Sequence, residues 1–210
     1  MNVLFSLGVT DFKETQTGIK SIIKVLGLFE GVKTINHASF KHFAAIARGE
    51  GSQYPEKGKR RVWFKLHYLK HVYEYLKKRD KPAADQKVGE IIKASTLQFI
   101  GQMIPEPSLF TKEFMLNAVW QNLVENDYNI EGSVMPPEGD SVSLNVRRCF
   151  YDEISREVGL MPIADRMCNG DFIFWETYHP NVRFSRTKTL IGGDDHCNHT
   201  LTWVEPASEL

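Results

Sequence analysis

The sequence predicts an α+β fold, with a helical N-terminal two-thirds packed on a small antiparallel sheet from the C-terminal third. Three observations carry this. Apolar residues recur at spacings of three and four through residues 11–128, the period of amphipathic helices. Beyond Pro136-Pro137-Glu138-Gly139-Asp140, shorter runs alternate apolar and polar residues, the period of half-buried strands. Turn-forming clusters separate those runs, as in sheets built from adjacent antiparallel strands. The 210 residues, 42% apolar and 25% charged, have the composition of an ordinary globular chain. A chain of this length buries roughly 70% of its unfolded surface without a disulfide or metal staple. The expected organisation is a single domain over 1–210, with a helical lobe at 1–135 and an α/β lobe at 140–207 carrying the candidate site.

The first helix is expected over Asp11–Leu28, where Ile19, Ile22, Ile23 and Leu26 share one face. A second starts near Asn36 and stops at Gly49 and Gly51. Gly51–Arg61, with Lys57, Lys59, Arg60 and Arg61, reads as a basic, flexible loop. Val62, Trp63, Leu66, Leu69, Val72, Tyr73 and Leu76 mark a strong helix, ended by Lys77–Pro82, whose cations complement the helix dipole. Asp85–Met103 and Phe110–Asn126 read as two further helices, the second with Thr111 placed to cap it. Pro136–Asp140 is the internal boundary.

Val142, Leu144 and Val146 then alternate with Ser143, Asn145 and Arg147 as a strand, and Cys149–Val158 reads as a helix closed by Gly159. Asp171–Tyr178 is read as an aromatic strand. Asn181–Ile191 is another, Gly192–Asp195 a turn, and Asn198–Val204 the terminal strand.

Twenty-six basic residues balance 26 acidic ones, so no cationic excess exists to displace phosphate counterions, and nucleic acid is not an expected partner. No run reaches the roughly 18 apolar residues of a membrane span. Met1–Val9 lacks the basic start and cleavage site of a signal peptide. The expectation is a cytoplasmic protein acting on a small-molecule substrate. Only three cysteines occur, Cys149, Cys168 and Cys197, an odd and sparse set that suits a reducing compartment.

Cys149 falls where a strand turns into a helix, next to Arg147 and Arg148. A helix N-terminus and guanidinium groups both stabilise a thiolate, although a free cysteine is more commonly a small buried hydrophobe. Cys168 precedes Asn169-Gly170-Asp171, where Asp171 could move protons or serve only a turn. Cys197 reads as a buried strand residue. In strand geometry Arg186 shares a face with Phe184 and needs an anion, either a substrate carboxylate or a structural partner such as Asp171. Metal is not expected: no Cys-x-x-Cys pair exists, His196 and Cys197 point to opposite faces of a strand, and His67 and His71 lack the intervening glutamate of a protease helix. Signatures for serine nucleophiles, phosphate loops and dinucleotide binding are also missing, and no cofactor is implied.

Residues 142–203 resemble the L-2-amino-thiazoline-4-carboxylic acid hydrolase family. The resemblance lies in Cys149 with the helix ending at Gly159-Leu160, Cys168-x-x-Asp171, Val182-x-Phe184-x-Arg186-Thr187-x-Thr189, and Gly192-Gly193 before Cys197. His199 departs from it, standing where family members often carry an aromatic. The resemblance implies hydrolytic opening of a cyclic 2-amino-thiazoline carboxylate by attack at C2 with expulsion of the ring thiolate. On that reading Cys168 or Cys149 is the nucleophile and Asp171 the proton shuttle. Arg186 holds the carboxylate, with Thr187 and Cys197 in support. The same ending is also similar to vinyl-reductase-type ligand-binding domains, which keeps a non-catalytic small-molecule sensor or carrier as the alternative. A third reading is a homodimerisation domain with an exposed aromatic sheet edge.

Overall fold

The computed structural model describes residues 9–126 and 129–205; the reading of Met1–Val9 falls outside it except for Val9. Its architecture is α+β. The helices are α1 (Val9–Leu26), α2 (Leu28–Ala47), α3 (Lys57–Arg79), α4 (Lys81–Ile100), α5 (Lys112–Asn117), α6 (Val119–Asn126), α7 (Phe150–Val158) and α8 (Met161–Tyr178). The strands are β1 (Ile130–Val134), β2 (Ser141–Cys149), β3 (Val182–Ser185) and β4 (Cys197–Trp203). They form one fully antiparallel sheet in the order β1-β2-β4-β3.

Two apolar cores result. One joins α1–α4 and α7 through residues such as Ile22, Val62, Leu66, Val72, Val88 and Ile154. The other joins the inner sheet face to α6, α8 and the end of α4 through Leu144, Leu201, Trp120, Trp175 and Ile100. The sheet is one-sided, as its alternation requires. Val142, Leu144 and Val146 are buried and face Leu201, His199 and Cys197 across the β2–β4 pair. On the outer face Ser141 meets Thr202 and Ser143 meets Thr200 through hydroxyl pairs at 2.8 Å.

A bulge interrupts this alternation at its most consequential point. Gly132 pairs with Val146 but the next residue, Glu131, pairs with Arg148, so Arg147 is the extra residue. Side chains beyond it shift by one: Arg147 is exposed, Arg148 turns outward and Cys149 turns inward opposite Ile130. Gly132 permits the close approach, since a Cβ there would lie 2.6 Å from the Asn145 carbonyl oxygen.

Several expected elements are corrected. Asp171–Tyr178 is not a strand; it is the second half of α8. Pro162 opens that helix, and Ile163, Ala164, Phe174 and Trp175 are buried on the helical period. Asn169-Gly170 makes no turn, because glycine is what the α4–α8 crossing needs: a Cβ on Gly170 would meet Thr96 Cγ2 at 2.2 Å. Residues 57–61 are not loop but the first turn of α3. Arg60 and Arg61 are buried there, and Arg60 Nη1 donates to the carbonyls of Tyr54 and Pro55 at 2.7 Å. The second helix starts at Leu28 rather than near Asn36, and Phe110–Asn126 divides at Ala118 into α5 and α6. Thr111 does cap α5, its hydroxyl accepting from Phe114 N. Pro136–Asp140 connects β1 to β2, β1 being a strand the sequence reading lacked. Asn181–Ile191 keeps strand form only to Ser185. Gly159 ends α7 in the left-handed region, φ 77°.

Candidate functional site

A cavity of about 310 Å³ runs between the two cores. Cys149, Cys168, Asp171, Arg186, Cys197 and His199 line its sheet end, together with Trp120 and Trp175. Three elements deliver them. The bulge aims Cys149 inward from the end of β2. α8 presents Cys168 and Asp171 one turn apart, on one face of the helix. β4 contributes Cys197 and His199 by its period of two, and Arg186 follows β3 on the inward side. Thr187 is not part of this group: it is exposed, and its backbone N–H and hydroxyl bond the Asn198 side chain.

Arg186 organises the polar end. Its side chain is only 4% exposed, and Nη1 donates to Asp171 Oδ2 at 2.9 Å. Nη2 donates to the Cys168 carbonyl at 3.1 Å, and His199 Nε2 lies 3.4 Å from Nη1. That geometry makes Nε2 the lone-pair nitrogen and puts the ring proton on Nδ1. The guanidinium also lies over Phe172, 5.1 Å from the ring centre, with Phe184 at 5.9 Å. Arg186 therefore has the structural carboxylate partner that strand geometry allowed for, although Asp171 comes from a helix.

Burial dominates the titration of the site. It pushes the Cys168 thiol up to about 12, only partly opposed by Arg186, while Asp171 and Cys197 add to the rise. Cys149 and Cys197 are raised for the same leading reason. The backbone N–H groups of Asp152 and Tyr151 pull Cys149 down by less than burial raises it. Arg147 and Arg148 do not assist: Arg147 is exposed, and Arg148 is bound by Glu153, Glu131 and Glu56. Burial and then Arg186 hold His199 down at about 3, so it is neutral over the ordinary pH range. The site thus offers neutral thiols, a neutral imidazole and one charge-compensated carboxylate.

The opposite end of the cavity is polar as well. Glu14 of α1, Ser39 and His42 of α2, and Lys65 and Tyr68 of α3 line it. Lys65 Nζ lies 2.6 Å from Glu14 Oε2. His42 is fully buried, with Nδ1 3.0 Å from His67 Nδ1. His67 is likewise buried. Among the described residues no group of three or more His, Cys, Asp and Glu side chains could hold a metal ion, and no helix is long and apolar enough to cross a membrane.

The polar cavity-lining residues that the sequence reading did not place in the site are His199, Lys65, Glu14 and His42. His199 was accessible through the alternation of Cys197, His199 and Leu201; the others meet only in the folded chain.

The fold and site define an α+β protein with a mainly apolar cavity and a polar, cysteine-rich end. The family model of L-2-amino-thiazoline-4-carboxylic acid hydrolase matches residues 60–200, and the chain belongs to that family. The match reaches further than the resemblance over 142–203, taking in α3 onward, while α1 and α2 precede it. No curated protein and no solved structure matches the chain.

Proposed function

We propose that the protein is a hydrolase that opens a small cyclic amidine of the 2-amino-thiazoline carboxylate type. The observation that carries this reading is Cys168 and Asp171 one turn apart on α8, both tied to Arg186 on the cavity wall. Arginine has five N–H donors, more than the three contacts described, so a substrate carboxylate can be accepted without breaking the Asp171 bond. The amidine, protonated at its ring nitrogen, faces the Asp171 carboxylate.

A bound amidinium changes the thiol as well. Burial keeps Cys168 protonated in the free protein, but a cation in the same low-dielectric space favours the thiolate. Asp171 takes the thiol proton, Cys168 Sγ adds to C2, and the C2–S ring bond breaks, the departing sulfur taking the proton back. Water then adds to the same carbon and gives a proton to Asp171. Breaking the C2–Sγ bond releases the N-carbamoyl product and restores Cys168 as the thiol. The net change is addition of one water to the amidine, and Asp171 returns to the carboxylate by giving the proton that came in with the amidinium to solvent. Cys149 is the other candidate nucleophile, and Cys197 and His199 complete the wall.

Turnover of 2-amino-thiazoline-4-carboxylate, followed by thiol release, tests the reading. The expected result is turnover that falls at least 100-fold in Cys168→Ala and in Asp171→Asn. Full activity in both Cys168→Ala and Cys149→Ala rules out the covalent route, and absence of turnover with any cyclic amidine overturns the hydrolase.

The mainly apolar wall and the burial-raised thiols favour one second reading, a non-catalytic small-molecule binder. Saturable binding of these compounds without product formation supports it over the hydrolase.

A further inference from the structure

The cavity has polar groups at both ends and an apolar waist, and its length follows from the helix beneath it. On α4 the lining residues run from Ile91 to Ile100, nine steps at ~1.5 Å, or about 13 Å. Ile91 and Ile92 belong to the helical core and Ile100 to the sheet core, so the space runs lengthwise along α4 from one core to the other. Ile22, Leu69, Ile91, Ile92 and Leu144 are among its apolar lining. An amino-acid-sized ring seated against Arg186 and Asp171 fills only the sheet end.

We propose that the substrate is an extended cyclic amidine: a ring head at Arg186 and Asp171, an apolar chain along α4, and an uncharged hydrogen-bonding group at the far end. This rests on the hydrolase reading for the head alone. The preference for an uncharged terminus follows from the distal groups. Lys65 and Glu14 already neutralise one another at 2.6 Å, so a charged terminus would have to compete with an existing ion pair. His42 is neutral and Tyr68 keeps its proton, burial being the leading cause for each. His42 lines the cavity whereas His67 does not. The Nδ1 bond is therefore made away from the cavity, and Nε2 is buried with no hydrogen-bond partner. A buried polar atom left unpaired is costly, and a ligand hydroxyl or amide would satisfy it whichever tautomer is present. Glu14, Ser39 and His42 also precede the family-matched segment at 60–200. The head site thus lies within the shared part of the chain, and much of the distal end lies outside it.

The test compares two probes by calorimetry: 2-amino-thiazoline-4-carboxylate, and its analogue bearing a hydroxyhexyl chain on the ring carbon next to sulfur. Hydrolysis-resistant 2-aminothiazole counterparts keep binding separate from turnover. Each buried methylene adds about fourfold in affinity, so the chain is expected to tighten binding on the order of 100-fold or more. Ser39→Leu, and independently Thr15→Leu on α1, fill the distal end without touching the head. At least one folded variant is expected to lose most of that gain while binding the short probe as before. The proposal is overturned if the two probes bind equally, or if the folded variants weaken both probes alike or neither. Tight binding of the long probe without turnover of either compound retains the extended-ligand inference and removes the hydrolase reading. Turnover of the short probe with no gain from the chain does the reverse.

Discussion

The Arg186–Asp171 pair yields an asymmetric prediction. Arg186 is 4% exposed and Asp171 30% exposed at the side chain, so the two partners differ in what happens when one is removed. Breaking a fully buried ion pair costs about 3–5 kcal/mol, most of it from the stranded charge. Asp171→Asn strands a guanidinium whose side chain is only 4% exposed, and a loss of about 3–5 kcal/mol is expected. Arg186→Met strands a carboxylate that can turn to solvent. The loss is then about 2–3 kcal/mol, including roughly 0.5–1 kcal/mol for the contact with Phe172. Arg186→Lys retains a cation but loses the fork joining Asp171 to the Cys168 carbonyl, at about 1–2 kcal/mol. The double variant Asp171→Asn/Arg186→Met strands neither charge and is expected to be more stable than Asp171→Asn alone. Urea unfolding at pH 7 measures all four, and for a chain of this size each kcal/mol also moves Tm by about 2–4 °C. The reasoning fails if Arg186→Met is the more damaging single change, or if the double variant loses the sum of the two.

Three further expectations follow from the packing and titration of the site. Gly170→Ala drives a methyl into Thr96 at the α4–α8 crossing and is expected to cost about 1–3 kcal/mol by urea unfolding, with partial rescue by Thr96→Ala. Burial lowers His42 to about 3, His67 to about 4 and His199 to about 3, from an ordinary 6.5. Between those values the unfolded chain binds more protons, so stability falls as pH drops from about 6.5 toward 4. Each histidine contributes a slope of at most ~1.4 kcal/mol per pH unit. Unfolding free energies measured from pH 7 to 4 check this, and His42→Phe should flatten the profile. Cys168, held near 12 in the free protein, is expected to react with iodoacetamide at pH 7.5 at least 100-fold more slowly than a free thiol. A bound amidinium too small to shield it should reverse part of that protection.

Much of the sheet was legible because its evidence is local. Val142, Leu144 and Val146 alternate with polar residues over one uninterrupted run, and Gly159 and Thr111 mark helix ends through their own backbone chemistry. α8 was misread because Phe172, Phe174 and Tyr178 also satisfy a period of two, and because Gly170 answers to Thr96, 74 positions away in the chain. β1 was missed because it is five residues long and contains Gly132, whose reason for being glycine is the strand beside it. At the site, Cys168-x-x-Asp171 could be found from spacing, but its meaning changed with the helix: a supposed turn became two groups on one face. Thr187 was read as support for Arg186, and one step along the backbone leaves it exposed and bonded to Asn198 instead. The distal end of the cavity could not be read at all, since Glu14, His42 and Lys65 come from three helices.

The bulge at Arg147 makes the pairing register of β2, rather than its composition, the variable that decides which side chains reach the cavity wall. Before it, even-numbered side chains look inward; after it, odd-numbered ones do. Deleting Arg147 would only close the bulge, because the pairs Glu131–Arg148 and Ile130–Cys149 already continue the ladder beyond it, and Cys149 would still look inward. Losing the bulge with every residue kept is the disruptive change: with Arg147 paired to Glu131, the Arg148 guanidinium would enter the apolar interior and the Cys149 sulfur would face solvent. A thiol would be exchanged for a cation without any substitution.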